Sequence, residues 1–376
     1  MPPTPLFHRW LVPTLVALLL LPACGLFRET RESGHVADDG PSLARAGIEH
    51  SVVAEAFITA ASPLDEIDSP SVWLAPDGKR WLISSAKRNH QLLVHDGETG
   101  ELLRRVGGEG AAPGQFQRPN GVFVWGDRLF VVERDNRRVQ VLSLPDFRPL
   151  GTFGEAELRS PYGLWLHEPE GGRLEVWVTD SFMDGPDYAV VPPLPQLAAR
   201  MKRYTVLLDG DAVSARFEGS SGDVTPAGAL RMVESIVGDV ANGRLLVAEE
   251  DVATGTGYRV YDLDGRYTGR DLGVGEFRAQ AEGLALMACA DGSGYWIGSD
   301  QFIDRSLFRV YDRQTLEPRG AFAGQSTAMT DGIWLAQTPS ARFPAGVLYA
   351  ADRDQAVAAF DWRDIATAIS LRERCD

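Results

Sequence analysis

The sequence predicts an all-β, six-bladed β-propeller, and three observations carry that prediction. Strand-length apolar runs recur through the chain, each set opened by a small residue that follows a polar or special one. The openings are Ser71-Val72-Trp73, Gly121-Val122-Phe123, Gly163-Leu164-Trp165, Ser235-Ile236-Val237, Gly283-Leu284-Ala285 and Gly332-Ile333-Trp334, spaced by 50, 42, 72, 48 and 49 residues. Each opening leads to a second strand (RWLISS, RLFVVE, EVWVTD, RLLVAE, GYWIGS, GVLYAA). Most lead to a third, such as QLLVHD, RVQVLSL, YRVYDLDG and LFRVYDRQ. Repeats of about 40 to 50 residues, each a small antiparallel sheet, are blades of a propeller.

The chain begins with a basic start, an apolar run from Leu11 to Leu21 and a small residue before Cys24. A spanning helix needs about 20 apolar residues, so this run is an export signal and not a membrane span. Leu21-Pro22-Ala23-Cys24 resembles the bacterial lipobox, in which the cysteine is acylated. Residues 1–23 are therefore expected to be a signal peptide and 24–50 a polar tether, lipid-anchored at Cys24, with the propeller in 51–370. Gly25 after the cysteine resembles outer-membrane sorting. It places the lipoprotein on the periplasmic side of the outer membrane or at the cell surface. The other two cysteines, Cys289 and Cys375, suit a bridge pinning the C-terminal tail to blade five, provided their Cα atoms lie within reach.

Within the propeller, blade four shows the pattern best. Ile236 to Val240 and Leu245 to Ala248 are apolar runs joined around Asn242-Gly243, a pair that accepts the positive φ of a tight hairpin. Glu234 stands before the first strand and Glu249-Glu250-Asp251 after the second. Antiparallel pairing puts these acids on one edge. The same reasoning adds Glu282, Asp331, Asp300 and Asp352 from blades five and six. Pro70, Asn120 and Tyr162 precede the first strands of blades one to three. Lys87, Arg88, Arg134 and Arg137 lie near the same face. Leu194 to Arg203, in the long insertion of blade three, is expected to form a short basic helix.

Charge and composition narrow the function classes. A net charge of −15 excludes nucleic acid as an expected partner. No Gly-x-Ser-x-Gly elbow or Cys/His metal spacing appears, and of six histidines, His8, His35 and His50 lie in the signal or tether. An acidic half of oxygen donors facing a basic half suits Ca²⁺ and an anionic ligand, and hence phosphomonoester hydrolysis. A propeller that only binds a ligand or protein partner through the same face is the alternative.

PGQFQRPNGV followed by DRLFVVERDNRRVQVL resembles the NHL repeat, in which Asn136-Arg137-Arg138-Val139 ties strands together. Over nearly the whole domain the chain resembles the β-propeller phytases. SPYGLWL, VESIVGDVANGRLLVAEED, AEGLALMACADGSGYWIGSDQ, FRVYDRQ, TDGIWL, FPAGVLYAADRD and AFDWRDIA carry the likeness, in that family's order; DSPSVWLAP and RPNGV fit it more loosely. The resemblance implies a monomeric, calcium-dependent hydrolase of phytate or another phosphorylated small molecule. It implies Ca²⁺ ligands Glu234, Glu250 (or its neighbour Glu249), Glu282, Asp331 and Asp352, with Glu234 and Glu282 catalytic. It also implies phosphate contacts from Lys87 and Arg137, although the NHL likeness makes Arg137 structural. Three departures stand out: Thr179-Asp180-Ser181-Phe182 lacks the family's basic residue, Gln280 replaces an acid, and Ala351-Asp352-Arg353 replaces Gln-Asp-Gly. Arg353, or Arg200 to Arg203, is the expected substitute cation.

Overall fold

The described residues of this computed structural model, 1–3, 40–186 and 188–375, form six sheets. Cys24, most of the predicted signal and most of the predicted tether lie outside them. The inner strands are Ile67–Leu74, Pro119–Trp125, Pro161–Glu170, Val233–Asp239, Ala281–Ala288 and Ile333–Ala336, and each touches the next in a closed ring. This is a six-bladed propeller, as the repeat predicts.

The middle strands explain why the sequence reads as near-continuous apolar runs. Arg138–Ser143, Arg244–Glu249, Val347–Asp352 and Ala356–Asp361 are buried along their whole length, because each blade is covered by a neighbour on both faces. The core therefore sits between blades. Phe130, Val141, Leu164, Val176 and Tyr204 pack together across blades two and three, and Leu82, Leu93, Val347 and Val357 across blades six and one.

Every inner strand of blades one to five carries a bulge at the same place. Two residues there face one on the second strand: Asp68-Ser69, Asn120-Gly121, Tyr162-Gly163, Glu234-Ser235 and Glu282-Gly283. In blade six, Asp331-Gly332 precedes the strand directly. A bulge re-aims a side chain, and here it aims the first residue of each pair at the axis. The second residue is small because the next blade lies against it. A Cβ on Gly163 would stand 2.4 Å from the Glu234 carbonyl oxygen, and one on Gly283 2.3 Å from that of Asp331. The register corrects the reading of blade one: Asp68-Ser69, not Pro70-Ser71, occupies the repeated position.

The ring is closed from the N-terminal side. Phe57–Ile58 supplies the fourth strand of blade six, and Ser51–Val52 adds a parallel fifth strand to blade five. Between them, Glu55 accepts hydrogen bonds from the backbone N–H groups of Gln325, Ser326 and Thr327 and from the Thr327 hydroxyl. Residues Leu43–Ala46, inside the expected tether, form a helical turn that buries Leu43 against Ala279, Phe302, Leu307 and Ala323. Asp304 holds this turn, accepting from Leu43 N, Ala44 N and Ser42 Oγ. At the other end the helix Trp362–Ala368 packs on blades five and six, and Cys375 is joined to Cys289 with Cα atoms 5.1 Å apart.

Candidate metal centre and its rim

Two tiers of residues are arranged around the axis at one mouth. The first is the bulge tier: Asp68, Asn120, Tyr162, Glu234, Glu282 and Asp331 line one small cavity of about 20 Å³, room for a water molecule or a bare ion. Four of these six are acids, contributed by blades four, five, six and one. The second tier follows each second strand by one residue. It comprises Lys87, Arg134, Ser181, Glu250, Gln301 and Arg353, whose backbone N–H groups all bond to the loop entering their own blade.

The residues just before that tier form a separate, structural series. Asp180 accepts from Arg159 N and Ser160 N, Glu249 from Arg231 N and Met232 N, Asp300 from Arg278 N and Ala279 N, and Asp352 from Ala328 N. Each carboxylate caps the loop that leads into the inner strand. This settles the choice between neighbours in blade four: Glu249 caps, and Glu250 faces the axis. It also corrects the expectation for Asp352. That side chain belongs to the capping series and pairs with Arg353 at 3.0 Å, outside the axial cluster.

Glu234, Glu250 and Glu282 each offer an oxygen within 4.8 Å of the others. Glu250 is 1 % exposed. Burial, and then the charges of Glu234 and Glu282, push its carboxyl well above the ordinary range. Asp331 is raised too, by burial and then by Asp354, with Lys87 opposing. Lys87 Nζ lies 3.0 Å from Asp68 Oδ2 and 3.5 Å from Asp331 Oδ2, and Gln301 donates to Asp331. The donor set fits a hard cation. Glu250 Oε1 and both amide atoms of the 1 %-exposed Asn120 are buried with no hydrogen-bond partner among the described residues. Such atoms are costly unless an ion or water meets them, and carboxylate and amide oxygens are Ca²⁺ donors.

On the basic side the structure exchanges one arginine for another. Arg137 is exposed on a left-handed turn, φ 53°. Arg134 takes the tier position, with Asp135 at 2.7 Å and Tyr162 beside it. The NHL-like signature is structural through its neighbours: Asn136 bonds to the Gly110 carbonyl and Glu133, and Arg138 to Glu133 and the Ala111 and Gln115 carbonyls.

The expected substitute cations do not reach the mouth. The helix of the insertion is a 3₁₀ turn ending at Ala199, and Lys202 and Arg203 lie on the strand Met201–Asp209. Arg200 is fully buried, donating to the carbonyls of Asp180, Phe182, Leu230 and Arg231. Burial lowers it to about 10. Lys202 bonds to the Ala199 carbonyl and faces Asp180. Arg353 turns outward to the Ser326 and Asp304 carbonyls. Asp68, the extra acid of the ring, is what the sequence reading missed; the Asp-Ser pair two residues before Pro70-Ser71 is its only signal.

Fold and site together define a propeller with an axial carboxylate pocket flanked by two cations. No family model matches the chain. Solved structures similar to it include the hydrazine synthase of Kuenenia stuttgartiensis, with 13 % identity, 84 % of this chain and 82 % of that chain covered, and a TM-score of 0.43. A nidogen/laminin complex matches at 15 % identity, with coverage of 73 % and 86 % and a TM-score of 0.45. A gluconolactonase from Xanthomonas campestris matches at 15 % identity, with coverage of 83 % and 97 % and a TM-score of 0.47.

Proposed function

We propose that this protein is a calcium-dependent phosphomonoester hydrolase of the β-propeller phytase type, monomeric and held at the membrane by a lipid on Cys24. The observation that carries the reading is the convergence of Glu234, Glu250 and Glu282 within 4.8 Å of one another, in a pocket lining that also holds Asp68 and Asp331, the partners of Lys87, and Tyr162, the neighbour of Arg134. Glu234, Glu250, Glu282 and Asp331 would hold Ca²⁺, with Asn120 and Asp68 completing the oxygen set. The ion supplies positive charge where the phosphoryl group gains negative charge. Lys87 and Arg134 orient the phosphoryl oxygens, and arginine binds them in two-pronged fashion. A second cavity, lined by Val122, Leu164, Ile236, Leu284 and Ile333 among others, shares Ser69, Gly121, Gly163, Ser235 and Gly332 with the lining of the carboxylate pocket.

The test is phosphate release from myo-inositol hexakisphosphate and from a simple monoester, with Ca²⁺ and with chelator, on the wild type and on Glu282→Ala and Lys87→Ala. Release that needs Ca²⁺ and falls by about a hundredfold in each variant is expected. No release from either ester at saturating Ca²⁺ would leave a binding propeller. Fatty-acid labelling lost in Cys24→Ala checks the anchor.

A further inference from the structure

Lys87 already holds part of the carboxylate pocket, and this bears on how a cation enters it, granted the Ca²⁺ reading above. The ammonium lies 3.0 Å from Asp68 Oδ2 and 3.5 Å from Asp331 Oδ2, and none of the three side chains is more than 15 % exposed. Asp68 Oδ2 has the ammonium at ion-pair distance but outside hydrogen-bond geometry, so this contact is held by charge rather than by a directed bond. The other oxygen of each aspartate is taken as well. Asp68 Oδ1 accepts from Ser69 Oγ at 2.6 Å, and Asp331 Oδ1 from Gln301 Nε2. Both oxygens of both aspartates therefore face a polar or charged group of the protein. At the same mouth, Glu250 Oε1 and both amide atoms of Asn120 are buried with no hydrogen-bond partner among the described residues.

We infer that Lys87 is a built-in competitor of the divalent cation: it closes the aspartate side of the pocket and gives it up when the cation binds. A Ca²⁺–oxygen contact is about 2.3–2.6 Å long. An ion that takes Asp68 Oδ2 as a ligand at that distance stands against the ammonium, and two cations so close repel each other strongly in a buried site. One of them must leave. A dication attracts the same carboxylates about twice as strongly as the single charge of lysine, so the lysine is the one displaced. The freed ammonium then becomes available to phosphoryl oxygens, and the order of binding is cation first, phosphoryl group second.

Two measurements with Ca²⁺ alone test this on the full chain. The first is the Ca²⁺ Kd, by titration calorimetry, of the wild type, Lys87→Met and Lys87→Arg. Kd is expected to fall by about tenfold or more in Lys87→Met, which removes the competing charge, and to stay near the wild-type value in Lys87→Arg. The second reads the wild-type protein and needs no variant to fold. Lys79, Lys87 and Lys202 are the lysines of the chain, so acetylation by acetic anhydride is followed at each by mass spectrometry. Lys79, with its side chain 70 % exposed, and Lys202, buried beside Asp180, are the internal references. Labelling of Lys87 is expected to rise several-fold when Ca²⁺ replaces chelator, while the other two stay constant. A Kd in Lys87→Met equal to or above that of the wild type, or Lys87 labelling that is unchanged or falls with Ca²⁺, overturns the inference and leaves the Ca²⁺ reading standing. Absence of Ca²⁺ binding by the wild type overturns the two together.

Discussion

Glu250 is the residue on which the chemistry of the mouth turns. Its raised carboxyl comes from burial first and the neighbouring acids second. Without a cation, the folded protein therefore holds a proton there that the unfolded chain has lost at the same pH. The contribution of this group to the stability of the metal-free protein is fully present below the ordinary value of 4.5 and is lost as pH rises through the higher folded value. A dication displaces that proton, so Ca²⁺ is expected to stabilise more strongly as pH rises. Melting curves at several pH values, with Ca²⁺ and with chelator, check both signs. Glu250→Gln is expected to raise the midpoint in chelator, by relieving repulsion, and to abolish the Ca²⁺-dependent rise. For the wild type that rise is worth about 2.7 kcal/mol at a hundred times Kd. Asp304 titrates in the opposite sense. Burial pushes it up, but the hydrogen bonds from Ala44 N, Leu43 N and Ser42 Oγ outweigh that and hold it at about 2. Its contribution is present above 3.8 and lost as pH falls through about 2. Hydrogen exchange at Leu43 and Ala44 is expected to quicken over that window in the wild type, and already at neutral pH in Asp304→Asn.

Among the elements, the bulged inner strands decide whether the ring can close. Each small bulge residue lets a neighbouring backbone come within reach, so a methyl group there must push two blades apart. Gly163→Ala, whose Cβ would stand 2.4 Å from the Glu234 carbonyl oxygen, is expected to cost about 1–3 kcal/mol. Because that carbonyl belongs to a proposed ligand residue, Ca²⁺ affinity should fall with it. Chemical denaturation and calcium titration of the same variant test this; an unchanged midpoint contradicts the close packing. The closing strands Phe57–Ile58 and Ser51–Val52 are only two residues each, so side-chain bonds carry much of the closure. Glu55→Ala removes the acceptor for three backbone N–H groups. It is expected to expose residues 40–58 to protease before the blades unfold.

Across the described propeller, the segment from residue 40 to 58 and the C-terminal tail both pack on blades five and six. The N-terminal segment covers blade five and completes blade six, while the C-terminal tail is fixed by Cys289–Cys375 across 86 residues of sequence. Cross-linking so long a loop restricts the unfolded chain and is worth about 2–4 kcal/mol. Protein purified without reductant is expected to show no free thiol at Cys289 or Cys375, and reduction should lower its unfolding midpoint. Two titratable thiols would contradict the pairing. The N-terminal segment also joins the propeller on the mouth side, since the Pro41 carbonyl accepts from Ile303 N, two residues beyond Gln301.

Blade number, strand order and the mouth as the meeting place of Glu234, Glu282 and Asp331 were legible in the sequence. Period, apolar runs and strand direction are local properties, and antiparallel pairing converts them directly into one shared edge. Three things depended on tertiary register instead. The bulge of blade one puts Asp68-Ser69 rather than Pro70-Ser71 at the repeated position, and the point where each second strand ends decides that Glu250 rather than Glu249 reaches the axis and that Arg134 rather than Arg137 stands in the rim. Arg200, Lys202 and Arg353 look available in the sequence and are occupied in the fold, because carbonyls from distant loops converge on them. Ring closure by residues 51–58 carries no local signature at all: two-residue strands acquire their identity only from the blades that receive them.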